Sequence, residues 1–338
     1  MFLSIIIPVY NGARYLDSIT NSIFSQNISE DEYEVILVDD FSTDDSKDVI
    51  YRISSSHTNV KTLFHSSNKG VATTCNDGVN MAEGDYFWII GQDDNISSTS
   101  LMRLAQENKN NPDVLLFNYQ HIDGNGVPDA NNLIFNNFTG GGGTELILNV
   151  SGDSFHYYLL GFEWRAIFRR EYVHSTNLKF PDGQRFEDTT YLMKALVYSN
   201  NVKTIEDTLY YYQDRSGSIM NRLEEYKDGG LIYDFAFVNG KEVEEFARQI
   251  ADVNHRISTV LDSKASWYYN SFRKDLLLTS KEEKSKFFEK IRKNPPRCSG
   301  RLSTINRVLL SNASIGLYLS LLLSPAYKFW RRIKCIFR

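Results

Sequence analysis

The sequence predicts an α/β fold, a doubly wound and mostly parallel sheet flanked by helices, on three observations. Short β-branched runs alternate with stretches of helical periodicity up to residue 90, the pattern that builds a parallel sheet through crossover connections. Two of those runs end in an acidic pair, Asp39-Asp40 and Asp93-Asp94, at the strand ends where open sheets bind their ligands. Beyond residue 220 the strands give way to charged, aromatic-rich helical sequence and then to a basic, apolar tail.

Each element follows from local composition. The opening Leu3-Ser-Ile-Ile-Ile-Pro-Val-Tyr10 lacks a basic leader and a small-residue cleavage site, so it is read as a strand and not as a secretion signal. Its β-branched residues Ile5 to Ile7 and Val9 suit a strand covered on both faces. A helix over 14–26 follows, then a strand over Glu34 to Val38, a helix over 45–55, a strand over Val60 to His65, a helix over Val71 to Met81 and a strand over Tyr86 to Ile90. Val114 to Tyr119 is another strand. The Asn- and Gly-rich stretch Asp123 to Thr144 reads as a loop, because Gly140 to Gly143 lacks the Lys-Ser/Thr of a phosphate cradle. Residues 151–215 mix strand and helix; 221–290 is helical, clearest over Lys241 to Ile257 and Ser280 to Lys293, and Pro295-Pro296 ends it. The domains expected are an α/β domain over 1–220, a helical region over 221–296 and a tail over 297–338.

With 338 residues, 42% hydrophobic, 23% charged and 13% aromatic, the chain is a folded protein of about two structural units and neither disordered nor collagenous. Cys75, Cys298 and Cys335 share no metal-ligand or redox spacing, which fits a reducing compartment. The six histidines show no ligand spacing either and are expected to be structural or exposed. The net charge of −5 hides a division, since eleven basic residues and no acidic one lie from Lys290 onward. The strongly acidic body is unsuited to nucleic acid, whereas the tail suits an anionic surface.

Two acidic pairs converging on one cleft repel each other unless a cation or hydrogen-bond donors compensate. A divalent ion that bridges a diphosphate resolves the conflict. An acidic pair after a strand also caps the next helix, and the residues by themselves admit both readings.

The series Ser4-Ile-Ile-Ile-Pro-Val-Tyr-Asn-Gly12, Ser22-Ile-Phe-Ser-Gln26, Val38-Asp-Asp-Phe-Ser-Thr-Asp44, Asn68-Lys-Gly70, Ala82-Glu-Gly-Asp-Tyr86 and Asp93-Asp94 resembles a family 2 glycosyltransferase. The resemblance continues through Glu163-Trp164, Phe168-Arg-Arg170, Phe180, Arg185-Phe-Glu-Asp188 and Leu209-Tyr-Tyr-Tyr212 to Gly217-Ser218, covering about residues 3–220 in unbroken order. It implies the GT-A fold and a kinship with bacterial surface-polysaccharide assembly enzymes. It also implies a nucleotide-sugar donor, a UDP-sugar foremost. Pro8, Val9, Tyr10 and Asn11 would line the nucleotide base, Asp40 would accept a hydrogen bond from it, and Asp93 would contact the ribose side; Lys69, between a strand and a helix, sits where a cation meets phosphate but reads equally as an exposed loop lysine. Asp94 would hold the metal, Mn²⁺ or Mg²⁺, which neutralises the departing diphosphate. Asp188 matches the general base, and one base without a nucleophile implies inversion. A carboxylate in this role acts mainly by position, since the acceptor proton moves as the new bond forms. Glu187, Trp164, Arg215 and Ser218 are further candidates; Glu187-Asp188 also reads as a helix cap, Trp164 as a core residue among Phe162, Ala166 and Ile167, and Arg215 to Ser218 as an ordinary turn. Two departures stand out: Gly91 where many relatives carry the first Asp of an Asp-x-Asp-Asp run, and Cys75 where many carry Arg.

Val308 to Tyr327 carries no charge and is flanked by Arg301 and Arg307 on one side and Lys328, Arg331, Arg332 and Lys334 on the other. Its serines, Asn312, Gly316 and Pro325, with cations at both ends, favour lying on a membrane over spanning it or packing on protein. The expected setting is the cytoplasmic, inner face of the plasma membrane, with a glycan or lipid-linked glycan acceptor; self-association into a homo-oligomer is also compatible. Two other functions compete, a nucleotidyltransferase and a noncatalytic sugar-nucleotide binding subunit.

Overall fold

The computed structural model describes residues 1–123, 138–149, 162–181, 188–213, 232–271, 281–297 and 320. The chain divides into two compact units, Met1–Arg215 and Ser216–Arg338. The first contains strands β1 (Leu3–Val9), β2 (Tyr33–Asp39), β3 (Val60–Phe64), β4 (Tyr86–Ile89), β5 (Asn95–Ile96), β6 (Val114–Ile122), β7 (Phe138–Gly141), β8 (Ala166–Arg169) and β9 (Val202–Gln213). Its helices are α1 (Ala13–Phe24), α2 (Ser46–Ser56), α3 (Val71–Met81), α4 (Ser100–Glu107), α5 (Gly143–Asn149), α6 (Arg170–Thr176) and α7 (Asp188–Tyr198).

The strands form a single sheet in the order β3-β2-β1-β4-β8-β6-β9-β5, with β7 added on β9. The long ladders, β1 on β2, β1 on β4, β2 on β3 and β6 on β9, are parallel, and the short ones are antiparallel. Every residue of β2 is buried, as are all of β1 but Pro8, which is why these strands read as continuous apolar runs. Helix α1 turns Leu16, Ile19, Thr20 and Ile23 to the core and α2 turns Ile50 and Ile53, the i, i+3, i+4 stripe of a helix laid on a sheet. Burying such side chains contributes about 1.5–3 kcal/mol each.

Two expectations are overturned. The stretch Asp123 to Thr144 is not wholly a loop, because it contains β7 and the start of α5; its residues 124–137 lie outside the described ones. Gly141 and Gly142 precede a helix whose first amide, that of Gly143, donates to Ser199 O at 3.1 Å, so tertiary pairing outweighs the local glycine signal. In the second unit, the helix expected over Lys241 to Ile257 is interrupted. Helix α8 (Ile232–Gln249) ends before a turn at 250–254, and α9 (His255–Ser271) begins afresh, with Asn254 Oδ1 accepting the Ile257 amide at 3.1 Å as a cap. Asn254 within an otherwise helical pattern is the cap signal that periodicity alone passes over. Helix α10 (Lys281–Lys293) ends two residues before Pro295, and the Pro295 carbonyl accepts the Lys241 ammonium at 3.0 Å. Among the described residues no helix is long and apolar enough to cross a membrane; apart from Arg297 and Ser320, the tail lies outside them.

Candidate active site

The parallel strands β1, β2 and β4 are neighbours in the sheet, so the loops that follow them share one sheet edge. After β1 the chain turns sharply at Asn11, whose φ of 49° is left-handed, a conformation Asn tolerates better than most residues. The loop after β2 satisfies the orphan amides this turn creates at the start of α1. Asn11 N–H donates to Ser42 Oγ, Gly12 N–H to Ser46 Oγ and Ala13 N–H to Asp44. In return Asn11 Oδ1 accepts the Thr43 amide at 2.8 Å. Burial opposes ionisation of Asp44, yet hydrogen bonds from Ser46 and Ala13 outweigh it and hold the carboxyl below its ordinary range. On the other side, the Gln92 side chain pairs with the Tyr10 backbone twice, accepting its N–H at 3.0 Å and donating to its carbonyl at 3.1 Å. The β1, β2 and β4 loops are thereby joined.

The Asp39-Asp40 pair divides its work. Asp39, fully buried, accepts the Ser42 amide at 3.1 Å and shapes the turn. Asp40, 4% exposed, collects three donors: His65 Nδ1 at 2.8 Å and the Lys69 amide at 2.7 Å on Oδ1, and the Gly70 amide at 2.9 Å on Oδ2. Successive amides reach one carboxylate because Gly70 has a φ of +86°, so the Asn68-Lys69-Gly70 signature is explained as a loop folded around Asp40. Neither aspartate caps α2, whose cap residue Asp45 makes no side-chain cap bond; Asp44 accepts the Ser46 amide at 3.0 Å just ahead of it.

The second pair follows β4. Asp94 is 4% exposed; it accepts the Tyr210 hydroxyl at 2.5 Å and the Gln213 amide at 2.8 Å, both from β9. The same hydroxyl oxygen accepts the Gly91 amide at 3.1 Å. Burial, and the adjacent Asp94 charge, raise the Tyr210 hydroxyl well above its ordinary pKa and keep it a donor. Tyr210 in turn stacks on Trp164 at 4.5 Å, and Trp164 packs on Tyr119, Phe162 and Tyr212. Trp164 is therefore a core residue behind the acidic turn.

Among the described residues no three His, Cys, Asp or Glu side chains form a metal cluster. The residues present nevertheless fit an ion that takes most of its oxygens from a diphosphate and water, as Mg²⁺ does. A Cβ at Gly91 would meet Asp94 Oδ2 at 2.6 Å, Asp93 Oδ1 at 3.3 Å and Tyr210 Oη at 3.3 Å. The missing side chain thus leaves a small cradle lined by oxygens of both carboxylates.

Other expected residues fall as follows. Tyr10 is 49% exposed, Pro8 is partly buried and Val9 is buried in the core, where its carbonyl accepts the Asp40 amide at 2.8 Å. Lys69 is partly exposed and its ammonium lies 3.2 Å from Asp77. Asp188 opens α7, and its side chain lies outside the described residues, as do Glu187, Arg215 and Ser218. Sequence reasoning missed His65, Gln92, Tyr210 and Gln213. His65 carries a signal that was available, since it is the residue that ends the β3 run, at the same sheet edge as Asp40.

Residues 4–175 match the family described as Glycosyl transferase family 2. The chain is 29% identical over 215 residues to the poly(ribitol-phosphate) beta-glucosyltransferase of Bacillus spizizenii, an alignment covering 63% of this chain and 32% of that enzyme. It is 28% identical over 227 residues to glycosyltransferase GlyG of Streptococcus pneumoniae, covering 64% of this chain and 72% of the relative. The crystal structure of Staphylococcus aureus TarS 1–349 in complex with UDP-GlcNAc superposes with a TM-score of 0.71 at 23% identity, covering 98% of this chain and 92% of that one. This chain thus spans about a third of the Bacillus spizizenii enzyme, and the likeness to TarS is one of fold.

Proposed function

The chain belongs to glycosyl transferase family 2, and we propose that it moves a sugar from a nucleoside diphosphate, UDP in our reading, to a hydroxyl of a glycan or lipid-linked glycan, inverting the anomeric carbon. The observation that carries this reading is the joining of the β1, β2 and β4 loops, which sets exposed Tyr10, the clamped Asp40 and the Asp93-Asp94 turn along one sheet edge. Parallel sheets bind nucleotides there. Tyr10 supplies an aromatic surface for the base, Asp40 an acceptor beside it, and Asp93 a partner for the ribose. Asp94, with Asp93, would hold a divalent ion, which when bound neutralises charge on the departing diphosphate. Asp188, at the N-terminus of α7, takes the proton of the acceptor hydroxyl as its oxygen bonds to the anomeric carbon and the bond from that carbon to the diphosphate oxygen breaks.

The acceptor belongs, in this proposal, to a bacterial surface polymer made at the cytoplasmic face of the plasma membrane. Relatives named for transfer to poly(ribitol-phosphate) support the polymer, and the basic, apolar sequence of the tail supports the location. The test is a panel of UDP- and GDP-sugars assayed for nucleoside diphosphate release with and without Mn²⁺. Wild-type protein should release UDP on sugar transfer. Asp188→Asn should lose that turnover by about two orders of magnitude or more while binding UDP within about threefold of wild type. Persistent turnover refutes the base assignment, and release of pyrophosphate identifies a nucleotidyltransferase.

A further inference from the structure

We propose that His65 is a positioning residue of the nucleotide site, holding the Asp40 carboxylate in place through Nδ1 while Asp77 fixes the imidazole from behind. The inference rests on the reading of Asp40 as a nucleotide-binding residue and adds the side chain that fixes it to the sheet. His65 directly follows β3, and its amide donates to the Asp39 carbonyl at 2.9 Å, so its backbone continues the sheet. Its side chain is 2% exposed. Nδ1 lies 2.8 Å from Asp40 Oδ1, and Nε2 lies 3.1 Å from Asp77 Oδ2 on α3. The Lys69 ammonium reaches the same Asp77 oxygen at 3.2 Å.

The contacts on Asp40 are of two kinds. The Lys69 and Gly70 amides belong to the loop that leads into α3. His65 belongs to the sheet. Without it, the carboxylate would be referenced only to a loop that turns through the glycine conformation of Gly70. With it, the ends of β2 and β3, the 66–70 loop and α3 close into one ring of hydrogen bonds running through Asp40, His65, Asp77 and Lys69. A buried hydrogen bond to a charged group is worth about tenfold or more in an equilibrium constant.

Two near-isosteric variants separate the two ring nitrogens. The amide nitrogen of Asn overlays Nδ1 and keeps a donor toward Asp40; that of Gln overlays Nε2 and keeps a donor toward Asp77 only. By titration calorimetry on the full chain with UDP as the probe, His65→Asn should bind within about threefold of wild type, whereas His65→Gln should bind roughly tenfold more weakly or worse. The donor KM should follow these affinities, with kcat at saturating donor changed less than about threefold in both variants. Asp77→Asn, which keeps a side-chain oxygen to hold the imidazole through Nε2 and leaves the Nδ1 contact standing, should bind UDP within about threefold of wild type, and it serves should either His65 variant fail to fold. Equal affinities of His65→Asn and His65→Gln overturn the inference, as does a loss in Asp77→Asn as large as that expected of His65→Gln. An Asp40→Asn variant distinguishes the underlying reading: if it binds UDP like wild type, or if wild type binds none, the nucleotide assignment of Asp40 falls and this inference with it.

Discussion

At Gly91 the acidic turn departs from the Asp-x-Asp-Asp pattern, and the geometry explains why the missing carboxylate is not simply a loss. The space a side chain would fill is bordered by Asp94 Oδ2 at 2.6 Å and by the Tyr210 hydroxyl oxygen at 3.3 Å, and that hydroxyl donates to Asp94 while accepting the Gly91 amide. A carboxylate added here would crowd a buried carboxylate and disturb the tyrosine bridge. Gly91→Asp, which restores the commoner residue, is therefore expected to lower stability by roughly 1–3 kcal/mol, as overpacking does. It should leave the Mn²⁺ concentration needed for half-maximal UDP release no lower than in wild type. Thermal melting and a metal titration check the two parts, and a variant of unchanged Tm with tighter Mn²⁺ dependence would contradict them.

Among the elements, the short segment between β3 and α3 has a backbone that demands glycine. Gly70, the residue before α3, has φ of 86° and ψ of 158°, a combination open essentially to glycine alone. A Cβ there would meet nothing within 4 Å, so the cost of a side chain is purely conformational. Gly70→Ala and Gly70→Asn should destabilise alike, by roughly 1–3 kcal/mol in urea unfolding, because the tolerance of Asn for left-handed helical angles does not extend to this region. Clear rescue by Asn would show that the loop relaxes instead of holding its form around Asp40. The segment also shows what was legible. Strand β3 could be read from its short β-branched and apolar run, although all five of its residues are only partly buried, and α3 runs over Val71–Met81 as expected, because a helix on a sheet buries side chains at a fixed period. Asp40 could be singled out by its place after a strand. That His65 and two backbone amides would converge on it could not, since those contacts join residues about 25 to 30 positions apart and leave no periodic trace. For the same reason α5 is hidden in a Gly-rich stretch, whereas the break between α8 and α9 has a local mark, the Asn254 cap, that periodicity passes over.

In the whole molecule, the two compact units couple to pH with the same sign but in separate pH windows. In Met1–Arg215 burial disfavours the ionised form of Glu34, but the Lys61 ammonium at 2.7 Å, the Ser4 hydroxyl and the Glu83 amide outweigh it and hold the carboxyl below its ordinary value of 4.5. Glu107 beside Lys203 and Asp207 beside Arg103 are lowered in the same way. Groups depressed on folding add stability above their unfolded pKa and lose it as pH falls through the folded one, so this coupling is confined to acid. Among the described residues of Ser216–Arg338, the strongly shifted group is Lys264 on α9. Burial pushes its ammonium from the ordinary 10.5 down to about 7, although the faces of Trp267 and Tyr268, 4.8 and 5.2 Å away, offer cation–π contact. Between about pH 7 and pH 9.5 the unfolded chain keeps this proton while the folded chain has released it, so unfolding takes up a proton and stability rises with pH by at most about 1.4 kcal/mol per unit. Glu34, Glu107 and Asp207, held below their ordinary values, contribute no slope over that range. Lys264→Met, which keeps the apolar stem, should therefore be more stable than wild type at pH 7, should lose the upward slope, and should see its advantage shrink toward pH 9.5. Urea unfolding of the full chain across that range measures all three, and a wild-type stability that stays flat or declines while Lys264→Met shows no gain at pH 7 would mean that this lysine keeps its proton in the folded protein.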